Sequence, residues 1–518
     1  MATRTTLKKR TTGTRRRLPT ASADDTAPSG PVAAVPNAPR LTVRHYCQGI
    51  GDSHLLMFSK PDGSVFRMLI DCGLHTIVKG GTTTVDRIAA DIKKVINGNP
   101  IDVLVVTHEH WDHVSGFLTA KEIFADIVFN EVWMPWTEKP GDPLADELDK
   151  HRQQALVALQ QVANRLSGSP DLSRHMSGLR DGLNSMMGFY FGATGDKLRS
   201  ARNAAAAMAK TQPPTYLEPG GKPLTVPGLP GVRIFVLGPP RDRAMLRLEE
   251  RKAEMYQFGS RPGWGAERAL SASFALDGDG DIDAWALETA PFADDHGHDL
   301  GAVLGGSGDA AIVKFVADYY SGNAPKRTSV EDETYLANQD WRRIDADWMG
   351  IAADLAMQLD QGVNNTSLVL AFEFTDTKRV VLFPGDAQIG NWLSWQSLTW
   401  EDPEVTAANI LARTVYLKVA HHGSHNATPS HVGLELMTSP DLSAFIPVNE
   451  EDAKKAQWHE MPFGTILSTL ALKTAGRVIR ADDAWIAIKG GRPSFPVPSG
   501  SINDLRNEGE GWVELDLS

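Results

Sequence analysis

From Leu41 onward, apolar and polar positions fall into short strand-like blocks separated by turn residues. Leu41-Thr-Val-Arg-His-Tyr reads as a strand, and Leu55-Leu-Met-Phe and Val65-Phe-Arg-Met-Leu-Ile flank a Pro61-Asp62-Gly63 turn. Together the last two predict a hairpin that closes at Asp71. A helical stretch over about 84–97 leads to the apolar run Val103-Leu-Val-Val, so the local order is strand, helix, strand.

The period changes at Asp142-Pro143. Leu144, Leu148, Ala155, Leu156, Leu159, Val162 and Leu166 recur at helical spacing, with Asp142 as the N-cap and Pro143 as the first helical residue. This predicts a helical insertion over about 140–212, after which Pro223-Leu-Thr-Val and Val232-Arg-Ile-Phe-Val-Leu return to strand. A second, mostly helical or loop-like insertion covers about 241–363. Core strands then resume at Ser367-Leu-Val-Leu-Ala-Phe-Glu-Phe, Arg379-Val-Val-Leu-Phe, Val415-Tyr-Leu-Lys-Val-Ala and Ala444-Phe-Ile-Pro-Val. Strands interleaved with helices in both halves predict an α/β body. Its boundaries are read as 41–490, preceded by a tail and linker over 1–40 and followed by a C-terminal extension over 491–518.

Composition changes this picture in three places. The net charge is −12, yet the first twenty residues hold seven Lys or Arg and no acid, which reads as a solvated basic arm ahead of a Pro- and Ala-rich linker. Only Cys47 and Cys72 are present, so any metal must be held by His and carboxylates. No apolar run is long enough to span a bilayer. A soluble, cytoplasmic protein without a membrane span is expected, with oligomeric state left open.

Chemistry concentrates in Thr107-His108-Glu109-His110-Trp111-Asp112-His113. Three of the chain's 15 histidines and an Asp fall within six positions, directly after a buried strand. His108 and His110, two apart in extended chain, point the same way and can grip one ion. Asp112 and His113 follow as the chain turns and can reach a second. Imidazole and carboxylate suit zinc, manganese or iron.

This His-x-His-x-Asp-His pattern resembles the signature of the metallo-β-lactamase superfamily, and the resemblance extends over much of residues 41–490. It implies a four-layer αββα sandwich with metal ligands on loops at the strand ends. Gly385-Asp386, after Arg379-Val-Val-Leu-Phe-Pro, looks like the motif that supplies a bridging Asp. His421-His422-Gly423-Ser424 looks like the motif that supplies the last His, and His421 is preferred as the ligand because it comes first after its strand. Asp71 resembles the first motif and would hydrogen-bond the ligand loop. Gln48-Gly49-Ile50-Gly51-Asp52-Ser53, Leu69-Ile70-Asp71-Cys72-Gly73, Asn364-Asn365-Thr366-Ser367 and Leu417-Lys418-Val419-Ala420-His421-His422-Gly423-Ser424 further resemble the soluble metallo-hydrolase domain of ComEC-type competence proteins. The membrane channel of that family has no counterpart in these residues, so the resemblance carries over the site chemistry alone. The nuclease branch with a β-CASP domain fits poorly, because Asp386 and His421 stand only 35 positions apart.

The expected activity is hydrolysis by a metal-bound hydroxide at a centre of two divalent ions, zinc first and manganese second. His108 and His110 would hold one ion, Asp112, His113 and His421 the other, and Asp386 would bridge. Asp112, Asp386, His422 and His459 are the candidates for catalytic roles, with His422 and His459 able to protonate a leaving group. No lone third-motif His is apparent: His151 and His175 lie in helical sequence, and His296 and His298 in Asp-Asp-His-Gly-His-Asp. The substrate expectation is a phosphodiester, nucleic acid included. A small-molecule ester, lactone or thioester is the alternative among hydrolases. A non-catalytic metal-binding subunit that docks a protein partner through the insertions is the rival from another class.

Overall fold

The strands are buried on both faces and build two sheets that share one apolar interior. The computed structural model describes residues 40–47, 49–168, 177–181, 183–184, 197–248, 302–303, 305–319, 352, 362–456, 458 and 460–518. Sheet one holds β1 (Leu41–Tyr46), β2 (Ser53–Ser59), β3 (Val65–Cys72), β4 (Ile101–Val105), β5 (Phe129–Pro135), β6 (Thr215–Leu217), β13 (Ile502–Arg506) and β14 (Trp512–Leu517), in the order β13-β14-β1-β2-β3-β4-β5-β6. Sheet two holds β7 (Val232–Gly238), β8 (Val369–Phe374), β9 (Val380–Phe383), β10 (Thr414–Lys418), β11 (Ser443–Ile446) and β12 (Val478–Arg480), in the order β12-β11-β10-β9-β8-β7.

Alternation assigns each residue to a layer. Leu41, Val43, Leu56, Phe58, Met68 and Ile70 of sheet one meet Leu370, Phe372, Val381, Phe383, Tyr416 and Phe445 of sheet two in the central core. The intervening residues face outward. Leu55, Leu69, Leu104 and Val132 pack against α1 (Gly81–Ile96) and α2 (Trp111–Thr119). Val369, Ala371, Leu382 and Leu417 pack with Trp392, Ile410 and Leu470, contributed by the helices Ile389–Ser394, Ala407–Ala412 and Gly464–Lys473. The layers run helix, sheet, sheet, helix, which is the αββα sandwich expected from the sequence.

The hairpin reading holds in β2 and β3, which pair antiparallel. The first insertion supplies α3 (Pro143–Gly168), where Asp142 Oδ1 accepts from the backbone N–H groups of Leu144 and Ala145 as an N-cap does. It also supplies α4 (Lys197–Ala207), whose Leu198, Ala201 and Ala205 pack with Trp111, Val114 and Phe117 of α2. Residues 491–518, read from the sequence as an extension, carry β13 and β14. These strands complete sheet one by pairing β14 antiparallel to β1, and so cover an edge that β1 would otherwise expose. Most of the second insertion lies outside the described residues. Cys47 and Cys72 are free thiols. Among the described residues, no helix is long and apolar enough to cross a membrane.

Candidate metal centre

Parallel pairing brings the chemistry to one edge. β3 runs parallel to β4, and β9, β10 and β11 run parallel to one another, so the loops leaving these strands start at common ends. After β4, residues 106–110 lie outside helix and strand, His110 is extended, and α2 begins at Trp111, which puts Asp112 and His113 in its first turn. Two glycines allow the backbones to close around that turn. A Cβ on Gly73 would lie 2.3 Å from the Asp112 carbonyl carbon, and one on Gly51, where φ is +142°, 2.3 Å from the Gly73 carbonyl oxygen. Asp71 then receives the Thr107 N–H at 2.8 Å and the Thr107 hydroxyl at 2.6 Å, and its Oδ2 stands 2.8 Å from His113 Nδ1.

Asp112, His113, Asp386 and His422 converge, each buried, with one ligand atom apiece inside a sphere where all lie within 4.8 Å of one another. His113 Nε2 is 3.1 Å from Asp386 Oδ2, and His422 Nε2 is 3.1 Å from Asp112 Oδ2 and 3.7 Å from Asp386 Oδ2. The outer nitrogens are already committed. His113 Nδ1 bonds Asp71, and His422 Nδ1 donates to the Pro447 carbonyl at 2.6 Å. That arrangement leaves each Nε2 as the metal-facing atom, so the donor set fits a divalent cation. In the metal-free protein, burial opposes protonation of His113, but Asp386, Asp112, Asp52 and Asp71 outweigh it and hold its pKa well above the ordinary value. Burial likewise opposes protonation of His422, and Asp386 and Asp112 outweigh it. Burial would raise the carboxyls of Asp112 and Asp386, but the neighbouring cations, His113 foremost, pull both below their usual range.

The structure puts His422, rather than His421, in this group, and so corrects the expectation built on position after the strand. β10 ends at Lys418, and the backbone is left-handed at both His421 (φ 43°) and His422 (φ 53°). The chain therefore reverses within the pair, and the second imidazole swings under the ligand loop. His421 contributes its backbone N–H to Asp386 Oδ1 at 3.0 Å, while its ring sits between Gln388 and Asn364.

His108 Nε2 and His110 Nδ1 face each other at 3.0 Å, as two ligands to one ion would. Among the described residues, no third His, Cys, Asp or Glu forms a compact group with them. His151 lies on α3, and His175, His296, His298 and His459 lie outside the described residues.

Lys418 and Asp52 belong to this site although neither was singled out as a candidate. Lys418 is 1% exposed; its Nζ donates to the Gly385 carbonyl at 2.9 Å and to Asp386 Oδ1 at 3.2 Å, and pairs closely with Asp52 Oδ2. Burial alone would raise Asp52, yet Lys418 and then His113 outweigh it and keep its carboxyl below the usual range. Burial would strip Lys418 of its proton, and Asp52 and Asp386 hold it on. His54 lies 3.5 Å from Asp52, His45 Nδ1 lies 2.9 Å from His54 Nδ1, and His45 Nε2 lies 2.7 Å from the Tyr416 hydroxyl, which extends this polar column into the core. One sequence signal pointed here: Lys418 stands two positions from Tyr416, so a strand puts both on the inner face.

The first insertion also reaches the ligand loop. Glu109, between the two paired histidines, accepts from Arg152 of α3 at 2.9 Å and from Arg202 of α4 at 2.8 Å, and Arg202 also bonds Glu138 at 2.5 Å.

A family model described as the metallo-beta-lactamase superfamily matches residues 64–148, from the hairpin turn before β3 through the ligand loop into α3. A search of curated proteins returns no match. The match covers Asp71 and the His108–His113 cluster and supports that superfamily for this chain, and the two-sheet architecture is consistent with its sandwich. Proteins of this superfamily are mostly hydrolases, and the His and Asp cluster is suited to a divalent metal.

Proposed function

We propose that this chain is a metal-dependent phosphodiester hydrolase centred on Asp112, His113, Asp386 and His422, with His108 and His110 beginning a second ion position. One observation carries the reading: two imidazoles with committed Nδ1 atoms and two carboxylates converge at buried strand ends. A divalent ion there would lower the pKa of water from about 15.7 to about 7 and offset charge developing on the reacting oxygen. The protein's own groups prepare the site. Lys418 occupies Asp386 Oδ1 and leaves Oδ2 turned to the cluster. Asp71 and the Pro447 carbonyl fix the orientation of the two imidazoles. Asp112 and Asp386, both ionised at neutral pH, are placed to accept a proton from the attacking water. His459 keeps its proposed part at the leaving group. Zinc or manganese suits this mixed nitrogen and oxygen set.

The phosphodiester class rests on the resemblance of the Gly49-Ile50-Gly51-Asp52, Asn364-Asn365-Thr366-Ser367 and Leu417–Ser424 stretches to ComEC-type domains. The test is protein reconstituted with zinc or manganese and assayed on bis-nitrophenyl phosphate, DNA, RNA, a lactone and a thioester. Turnover of phosphodiesters that disappears in Asp386→Asn is expected. Turnover of the lactone or thioester alone would replace the substrate class, and absence of metal uptake would overturn the hydrolase reading.

A further inference from the structure

We infer that the groove between α1 and the loop after β12 is a second binding site, separate from the metal cluster, that takes a nucleoside phosphate, with the phosphate against α1 and the base edge against Asp483 and Asn449.

The groove has a volume of about 790 Å³, and none of the four clustered metal-site residues lines it. Small-molecule sites commonly enclose about 300–1,000 Å³. One wall is a single face of α1, where Thr84, Arg87, Asp91 and Lys94 recur at helical spacing, and Lys79 stands just before the helix. The segments after β11 and β12 bring Asn449, Asp482 and Asp483 to the same groove, and Ala481, Ile486 and Trp512 give it apolar surface.

The charges are not matched within the groove. Asp91 Oδ2 accepts from Arg44 at 2.7 Å and from the Tyr46 hydroxyl at 2.9 Å. Asp482 accepts from Arg480 at 2.8 and 2.7 Å and from the Glu450 N–H at 2.9 Å. Glu510 is exposed and acts on Lys489. Lys79, Arg87 and Lys94 are exposed, and among the described residues none of the three pairs with a carboxylate within 4.0 Å. The basic wall is therefore left to attract an anion.

Arg87 is oriented for that task. Thr84 Oγ1 accepts from Arg87 Nη2 at 3.3 Å and donates to the Lys79 carbonyl at 3.4 Å, which holds the guanidinium beside Lys79. A planar guanidinium next to an ammonium suits the several acceptor oxygens of a phosphate. Lys94 lies two turns further along α1, about 10 Å on, where a second phosphate of a strand would fall.

The other side is built to hydrogen-bond. Asp483 Oδ2 accepts from the Arg480 N–H at 3.0 Å and the Trp485 indole at 3.2 Å, and Asn449 Oδ1 accepts from the Asp452 N–H at 3.0 Å. Asp483 Oδ1 and Asn449 Nδ2 make no hydrogen bond to the described residues, so one acceptor and one donor remain. A nucleobase edge carries the complementary donor and acceptor, and its faces suit the apolar surface. A duplex presents phosphate on both flanks and would set one row against Asp483, whereas a free nucleotide or a single strand has phosphate on one side only.

The experiment is calorimetric titration of the full chain, without added metal, with ribonucleoside monophosphates, a single-stranded tetranucleotide, a duplex and tripolyphosphate. A monophosphate or the tetranucleotide should bind at least about tenfold more tightly than the duplex or tripolyphosphate. Binding of a monophosphate identifies a free nucleotide as the source; binding of the tetranucleotide alone identifies a strand. Arg87→Glu and, as a second exposed variant, Lys94→Glu keep the wild-type melting temperature, and Arg87→Glu should weaken the favoured ligand at least about tenfold. Asp483→Ala should weaken it as well while leaving tripolyphosphate unchanged. Absence of binding by both nucleoside forms, tripolyphosphate or duplex matching the better of them, or wild-type affinity in Arg87→Glu or in Asp483→Ala overturns the site. Binding rather than turnover is measured, so the outcome is independent of the phosphodiester assignment.

Discussion

His422 Nε2 stands 3.1 Å from Asp112 Oδ2 across 310 residues of chain, and joins the loop after β10 of sheet two to the ligand loop of sheet one. His422→Ala should therefore reduce bound metal to below about one tenth of the wild-type level at micromolar ion, since second-row partners alone account for changes of about 10–100-fold in affinity and a direct ligand should matter at least as much. His421→Ala should retain the metal while lowering turnover. Elemental analysis of both variants decides; retention of metal by His422→Ala together with its loss from His421→Ala would remove the cluster assignment.

Lys418 is the buried cation between Asp52 and Asp386. Lys418→Met should destabilise the metal-free protein by about 3–5 kcal/mol, because breaking a buried pair leaves uncompensated charge. Added zinc should restore part of the loss by compensating Asp386. Thermal melts with and without metal measure both effects, and an unchanged metal-free melting temperature would contradict this role.

Metal uptake should weaken as pH falls. His113 and His422 have raised pKa values in the metal-free fold, so their protonated forms persist further up the pH scale and an incoming ion must displace those protons. Affinity should fall by up to about tenfold per pH unit for each proton displaced. Calorimetric titration in buffers of different ionisation heat measures the release; a value of zero would show that these imidazoles are already neutral.

Arg202 ties the first insertion to the loop bearing His108 and His110. Arg202→Met should cost about 3 kcal/mol, because among the described residues it leaves Glu109 and Glu138 with Arg152 as their remaining close cation. Urea denaturation gives the stability, and faster amide exchange at residues 107–113 would show the loop loosening. Unchanged exchange there would confine the insertion to a packing role.

Glu373, far from the metal, is buried beside Arg233 at 2.6 Å and against Arg413. Burial would raise its carboxyl, but the two arginines outweigh it and keep it below the ordinary 4.5. A depressed folded pKa stabilises fully above the unfolded value and loses that contribution as pH falls through the folded value. Glu373→Gln should thus cost about 2 kcal/mol at neutral pH and flatten stability against pH below about 4.5. Denaturation midpoints from neutral pH to pH 3 follow it, and parallel curves for the two proteins would rule it out.

Local pattern determined a great deal here. Continuous apolar runs marked β8, β9 and β10 as core strands, and Asp142-Pro143 announced the start of α3, because strand burial and N-capping act over a few neighbouring residues. The His108–His113 stretch was legible as a candidate metal site for the same reason, since its donors are adjacent in the chain. The two sheets were legible only in part: β13 and β14 follow residue 490, and β14 pairs with β1, a long-range contact that no local period encodes.

Tertiary structure decided the rest of the site. Two left-handed residues invert the order of the pair, so the second histidine of His421-His422 reaches Asp112; distance from the strand end carries no information about such a reversal. Lys418 and Asp52 read locally as a strand residue and a loop residue, and only the meeting of the two sheets makes them a buried pair under Asp386. The buried carbonyl oxygens of Asn364 and Gln388 that lack a hydrogen-bond partner exist only in three dimensions, because hydrogen-bond satisfaction depends on which distant groups arrive and which do not.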